Sequence, residues 1–166
     1  MASKTTFAPD EWKQVLESVM LSGMAVTAAD PSGLIGVLQE SMASGRTVLA
    51  GKSGPAANEL IKSVVAEYES GEGRKSASDQ LKSRLKGSKA ADVKDKMIAG
   101  LRDVSMLLDS KASTDAPAFK TWLHDIAENA AEAASEGGFM GFGGVQVSDT
   151  EKATLGELSS ALGIKA

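Results

Sequence analysis

Apolar residues recur at intervals of three and four along most of this chain, and that spacing constrains its fold more than any other feature. In the clearest case, one face of a predicted helix carries Val93, Met97, Leu101, Val104 and Leu108. The same spacing predicts a first helix from Pro9 to about Ala28. A later predicted helix has an apolar stripe of seven residues, Phe119, Trp122, Leu123, Ile126, Ala127, Ala130 and Ala134. No stretch of useful length alternates apolar and polar residues as a half-buried strand does. The spacing therefore predicts several α-helices, which bury their apolar faces against one another in a bundle.

Composition supports this fold class and a single domain. The chain has 166 residues, of which 42% are apolar but only 4% aromatic. Its core must therefore be built mainly from aliphatic side chains, a mixture that favours helices over a β-sandwich. A length of this size suits one domain with a core of its own. We therefore predict an all-α, single-domain bundle of six or seven helices over residues 1–166, with residues 1–8 as a flexible N-terminal arm.

The same composition argues against several classes of function. The chain has no cysteine, which excludes disulfides and thiolate metal sites. Its net charge of −4 argues against nucleic acid as a partner, because there is no general basic field. A basic run over residues 74–89 is interpreted as a solvated helix face or as a docking surface for an acidic partner, nucleic acid or anionic lipid head groups. The chain has no run of 18 apolar residues, so no transmembrane helix is predicted. Residues 1–7 lack the apolar stretch of a secretory signal. We therefore expect a cytoplasmic protein.

A glycine-rich segment over residues 137–144 separates the last two predicted helices. It has three interpretations: a bend whose apolar side chains enter the bundle, a flap that grips a ligand or partner, and a cradle of backbone N–H groups for an anion. Nucleotide-binding glycine motifs are not met. The candidate flap residues are Gly138, Phe139, Met140, Phe142 and Gly143, together with Trp122 on the preceding helix.

The helix after this segment begins with a predicted capping box. Ser148 and Glu151 have the spacing at which each side chain accepts a hydrogen bond from the backbone N–H of the other. This interpretation accounts for both residues without a ligand.

Two stretches resemble the TerB-like family of tellurite-resistance proteins. The segment from Val147 to Ile164, which contains Ser148, Glu151 and a terminal Leu162-Gly163, is similar to the second half of the family's pattern. The stretch Ala28-Ala29-Asp30 partially matches the first half. The resemblance lies mainly in residues 122–164, with a weaker match over residues 19–40 and none between them. It implies an all-helical fold, a role in stress response and a divalent metal ion bound by acidic residues near the turns.

Carried over residue by residue, the resemblance makes Asp30 and Glu151 the candidate metal ligands. The sequence departs from the family where Gly143 or Gly144 stands in place of a second aspartate.

No catalytic arrangement is predicted. His124 is the only histidine, so spacing supplies neither a Ser-His-Asp set nor a histidine-based metal site. Asp125 lies about 100° further around the helix and is not expected to orient the imidazole ring.

The leading hypothesis is a non-catalytic binding or adaptor module that resembles TerB-like stress-response proteins, binds a protein partner and responds to metal. One alternative is a carrier of small apolar ligands, or an enzyme, with a pocket between helices lined by Trp12, Trp122, Phe139 and Phe142. Another is a structural or self-assembling helical protein. The oligomeric state stays open.

Overall fold

The computed structural model describes residues 1–29, 48, 57–136 and 147–164, and it confirms the all-α prediction. Within those ranges the chain forms a bundle with no strand, and no helix there is long and apolar enough to cross a membrane. The elements are a 3₁₀ turn at Lys4–Thr6 and the helices α1 (Pro9–Thr27), α2 (Glu59–Ser70), α3 (Glu72–Leu85), α4 (Ala90–Lys111), α5 (Ala116–Glu136) and α6 (Asp149–Leu162).

Helix α1 lies at the centre of the bundle. It packs against α3, α4, α5 and α6. Apolar side chains such as Val15 and Leu21 are buried around it, and so are the polar side chains of Glu17, Ser18 and Ser22. A helix buried on more than one face is expected at the core of a bundle rather than at its surface. The predicted span, Pro9 to about Ala28, agrees with the observed helix.

The apolar stripe predicted for α4 faces the core. Met97, Leu101, Val104 and Leu108 are buried, while Val93, one turn from the helix start, is only partly buried. The stripe predicted for α5 is buried in the same way at Phe119, Trp122, Leu123, Ile126 and Ala127.

The junction between α2 and α3 differs from the prediction. The sequence predicts that Gly71, Glu72 and Gly73 together end α2. Gly71 does so in the left-handed conformation, with φ of 83°. Gly73, however, lies in the first turn of α3, where a Cβ atom would stand only 2.7 Å from the backbone carbonyl carbon of Glu67. Glycine is needed at position 73 because the two helices approach each other closely, and spacing along the sequence does not reveal this.

Residues 1–8, expected as a flexible arm, lie against the bundle. Ala2 and Phe7 are buried. The backbone N–H of Ala2 donates to the carboxylate of Asp115 over 2.6 Å, and Lys4 Nζ lies 2.7 Å from Glu67 Oε1. These contacts could not be predicted from the sequence, because a single aromatic residue before Pro9 has no periodicity.

A buried ion pair joins α1 to α3. The Glu17 side chain is inaccessible to solvent, and Arg84 donates to its two oxygens over 2.8 and 3.0 Å. The hydrogen bond to Glu17 raises the pKa of the Arg84 guanidinium. Tyr68 on α2 donates to the carbonyl of Leu16 over 2.7 Å. Arg84 belongs to the basic run of residues 74–89, but its side chain is mostly buried and pairs with Glu17 instead of facing solvent.

Candidate functional site

Most of the predicted site residues lie outside the described part of the chain. Asp30 is one of them. The others are the flap residues Gly138, Phe139, Met140, Phe142 and Gly143. The described residues therefore give structural information on Glu151, on Trp122 and on Trp12, the residue predicted to line an inter-helix pocket.

Glu151 forms the predicted capping box at the start of α6. Its Oε2 accepts from the backbone N–H of Ser148 over 2.8 Å and from the Ser148 hydroxyl over 2.9 Å, and its own N–H donates to Ser148 Oγ over 3.2 Å. Only 8% of Glu151 is exposed. The capping prediction is confirmed. A metal ion would have to compete with this cap for the carboxylate.

Trp122 lies in the core of the bundle. It is 5% exposed, and its ring meets that of Phe119 edge-on with centroids 5.3 Å apart. Its Nε1–H is buried and has no acceptor among the described residues. The surroundings described for Trp122 are those of a core aromatic residue.

A cleft of about 330 Å³ lies where the N-terminal segment crosses α1, α2 and α3. We call it the Trp12 cleft. Trp12 is buried and has Phe7 beside it, with ring centroids 5.9 Å apart. The lining residues are Lys4, Phe7, Pro9, Trp12, Lys13, Leu16, Glu67, Glu72 and Ser76. Apolar side chains and charged groups thus meet in one cleft.

Two lysines that line the Trp12 cleft, Lys4 and Lys13, each pair with a carboxylate. Lys4 Nζ bonds to Glu67, and this hydrogen bond, with the nearby charges of Glu67 and Glu72, raises the pKa of the lysine. Lys13 Nζ lies 2.8 Å from Asp10 Oδ1 on the same helix. Glu67 and Glu72 lie on either side of the turn at Gly71, which brings the end of α2 and the start of α3 to one side of the cleft.

Sequence reasoning identified Trp12 as a pocket residue but missed the rest of this cleft. The expected pocket combined Trp12 with Trp122, whereas the Trp12 cleft is completed by the N-terminal segment and by the α2–α3 junction. These parts are separated by about sixty residues in the sequence, and only packing brings them together.

A group of three potential metal-ligand side chains lies on α5. His124, Asp125 and Glu128 each offer one ligand atom, and these atoms all lie within 4.8 Å of one another. His124 Nδ1 and Glu128 Oε2 are 3.8 Å apart. The sequence prediction that one histidine supplies no metal site did not consider carboxylates as the other ligands. The i, i+4 spacing of His124 and Glu128 was the signal that could have found them.

No family model, curated protein or solved structure matches this chain. The resemblance to TerB-like proteins therefore stays a prediction.

Proposed function

We propose that this protein is a non-catalytic binding module, as its resemblance to TerB-like proteins suggests, and that the Trp12 cleft is its ligand-binding surface. The observation that carries the proposal is the cleft itself, in which buried aromatic residues adjoin a charged rim. Binding sites in proteins commonly combine an apolar lining with a few polar groups that orient the ligand.

The size of the cleft favours a small occupant. Its volume of about 330 Å³ is close to the lower end of the range found for ligand pockets, roughly 300 to 1,000 Å³. Such a space suits a small organic ligand or one side chain of a protein partner. The same cleft supports the alternative of a small-ligand carrier, since Trp12 was predicted to line an inter-helix pocket.

The cleft offers little for catalysis. Its lining residues include neither histidine nor cysteine. Lys4 has a raised pKa because of Glu67, so its amine stays protonated near neutral pH and is a poor base or nucleophile. These groups are suited to holding a ligand rather than transforming it.

A fluorescent probe tests the proposal. The dye 1-anilinonaphthalene-8-sulfonate combines aromatic rings with an anionic group and should bind the cleft. Replacing Trp122 by Phe leaves Trp12 as the only tryptophan, so energy transfer to the dye then reports binding near Trp12. In this background, Ser76→Phe should fill the cleft and weaken dye binding about tenfold or more.

The matched control is Ser160→Phe, which adds the same ring at an exposed position of α6. This variant should bind the dye as its parent does. Equal affinities in the Ser76→Phe and Ser160→Phe proteins, with unchanged circular dichroism, would refute the cleft as the binding surface.

The metal-responsive form of the proposal assigns Asp30 and Glu151 as ligands. Because Glu151 caps α6, metal bound there would break two hydrogen bonds to Ser148 and weaken the start of that helix. Calorimetric titration with calcium chloride tests it. Heat of binding that disappears in the Asp30→Asn/Glu151→Gln protein supports these ligands, and identical titrations of both proteins count against them.

A further inference from the structure

The outer face of α5 carries an arrangement of ligand atoms that the proposed function does not use. His124 is half-buried, whereas Asp125 and Glu128 are exposed. One imidazole nitrogen and two carboxylate oxygens lie within 4.8 Å of one another. All three residues are within the continuous helix Ala116–Glu136, so a rigid backbone fixes their relative positions. An ion binding here would need only small side-chain rotations.

The distance between His124 and Glu128 fits a shared ion better than a direct hydrogen bond. Their closest ligand atoms, Nδ1 and Oε2, are 3.8 Å apart, well beyond the length of a good N–H···O bond. Two ligands at about 2.1 Å from a tetrahedral zinc ion are separated by about 3.4 Å. The pair is therefore close to the separation that one bound cation would impose.

Among the described residues, no lysine or arginine pairs with either of the two carboxylates. Lys120, one turn before His124, is directed to Asp109 on α4 over 2.6 Å. Within the described part of the chain, none of the ion pairs joins a lysine or arginine to Asp125 or Glu128. Over the described ranges, the two carboxylates are thus not paired with a basic side chain, and their oxygens lie within 4.8 Å of the imidazole nitrogen.

We infer that His124, Asp125 and Glu128 form a binding site for a divalent transition-metal ion, with zinc as the best fit. Imidazole suits zinc, copper and nickel, whereas calcium requires six or more oxygen ligands, which this group does not supply. Three protein ligands on an exposed face leave a coordination position open to water or to a side chain of a partner. The site is separate from the Trp12 cleft and does not depend on the proposed function.

Calorimetric titration of the untagged chain with zinc chloride at neutral pH tests the inference, since a histidine tag would itself bind zinc. One zinc ion per chain is expected. His124→Gln should abolish this binding, and Glu128→Gln should weaken it about tenfold or more. Asp92→Asn is the control, because it removes an exposed carboxylate elsewhere, on α4, and should leave the affinity unchanged. The Ser76→Phe protein should also bind zinc normally, which separates this site from the cleft.

The single histidine gives a second measurement. In the wild-type NMR spectrum, every imidazole signal belongs to His124, and zinc should shift those signals at a stoichiometric amount. This readout does not depend on any variant folding correctly. Imidazole signals that do not move with added zinc, or equal zinc affinity in the wild type and a folded His124→Gln protein, would overturn the inference.

Discussion

At the scale of single residues, the Glu17 carboxylate needs a partner because it is fully buried, and Arg84 balances its negative charge. Arg84→Met should destabilise the protein by about 3 kcal/mol, because it leaves an unpaired charge in the interior. That figure is the lower end of the usual range, since the Arg84 side chain is one-fifth exposed and water can partly replace it. Urea unfolding measures the change.

The double variant Glu17→Leu/Arg84→Met is the informative control. Replacing both partners of a buried ion pair by apolar residues is often neutral or stabilising. The double variant should therefore recover most of the stability lost in Arg84→Met. If the double variant has a lower free energy of unfolding than Arg84→Met, the prediction is wrong and the ion pair is more stabilising than the apolar pair that replaces it.

Tyr68 gives a prediction on pH. Burial, with a smaller effect from the nearby charge of Glu17, raises the pKa of its phenol far above the ordinary value of 10.0. The folded state therefore holds this proton more tightly than the unfolded state. The resulting stability is complete below pH 10 and is lost as the pH rises above it.

Two measurements check this prediction. Tyr68 is the only tyrosine, so the ultraviolet absorbance of phenolate reports it alone and should appear only as the protein unfolds. Above pH 10, the free energy of unfolding should fall less steeply in Tyr68→Phe than in the wild type. A phenolate signal in the folded protein near pH 10 would contradict the assignment.

At the scale of elements, the packing of α2 against α3 requires glycine at position 73. In Gly73→Ala, the new Cβ would stand 2.7 to 2.8 Å from Glu67 atoms, including its backbone carbonyl group, which cannot rotate away. The junction would have to open, at a cost of about 1 to 3 kcal/mol.

Gly156 is the matched control: it is a helical glycine with no neighbouring atom within 4 Å of an added Cβ. Gly156→Ala should stabilise α6 by about 0.5 to 1 kcal/mol. Thermal unfolding of both variants checks the prediction: the melting temperature should fall in Gly73→Ala because of close packing and rise in Gly156→Ala because of helix propensity.

At the scale of the whole molecule, the N-terminal segment closes the bundle by contacts that are distant in sequence. Ala2 bonds to Asp115, Lys4 pairs with Glu67, and Phe7 covers Trp12. Phe7→Ala should cost about 3 kcal/mol and expose Trp12, because a large buried ring is removed from one wall of the cleft.

Fluorescence and proteolysis check this last prediction. In a Trp122→Phe background, emission of Trp12 should shift to longer wavelength on adding Phe7→Ala, and trypsin should cut after Lys4 faster. The matched comparison is Thr5→Ala, which changes a more exposed residue of the same segment and should alter neither measurement. If Phe7→Ala leaves both measurements unchanged, residues 1–8 behave as the flexible arm that the sequence predicted.

The sequence by itself determined the features that depend on neighbours along the chain. Apolar residues three and four positions apart established α1 and α4, and the spacing of Ser148 and Glu151 established the cap of α6, because a helix brings such residues together whatever surrounds it.

Only the tertiary structure decided which helix faces meet. Arg84 belongs to a basic run in the sequence, yet it pairs with Glu17, 67 residues away, and the Trp12 cleft needs three helices and the N-terminal segment at once. Periodicity states that a face is buried but not what it is buried against. That choice is made by the fit of side chains and charges across the assembled bundle, which no local pattern encodes.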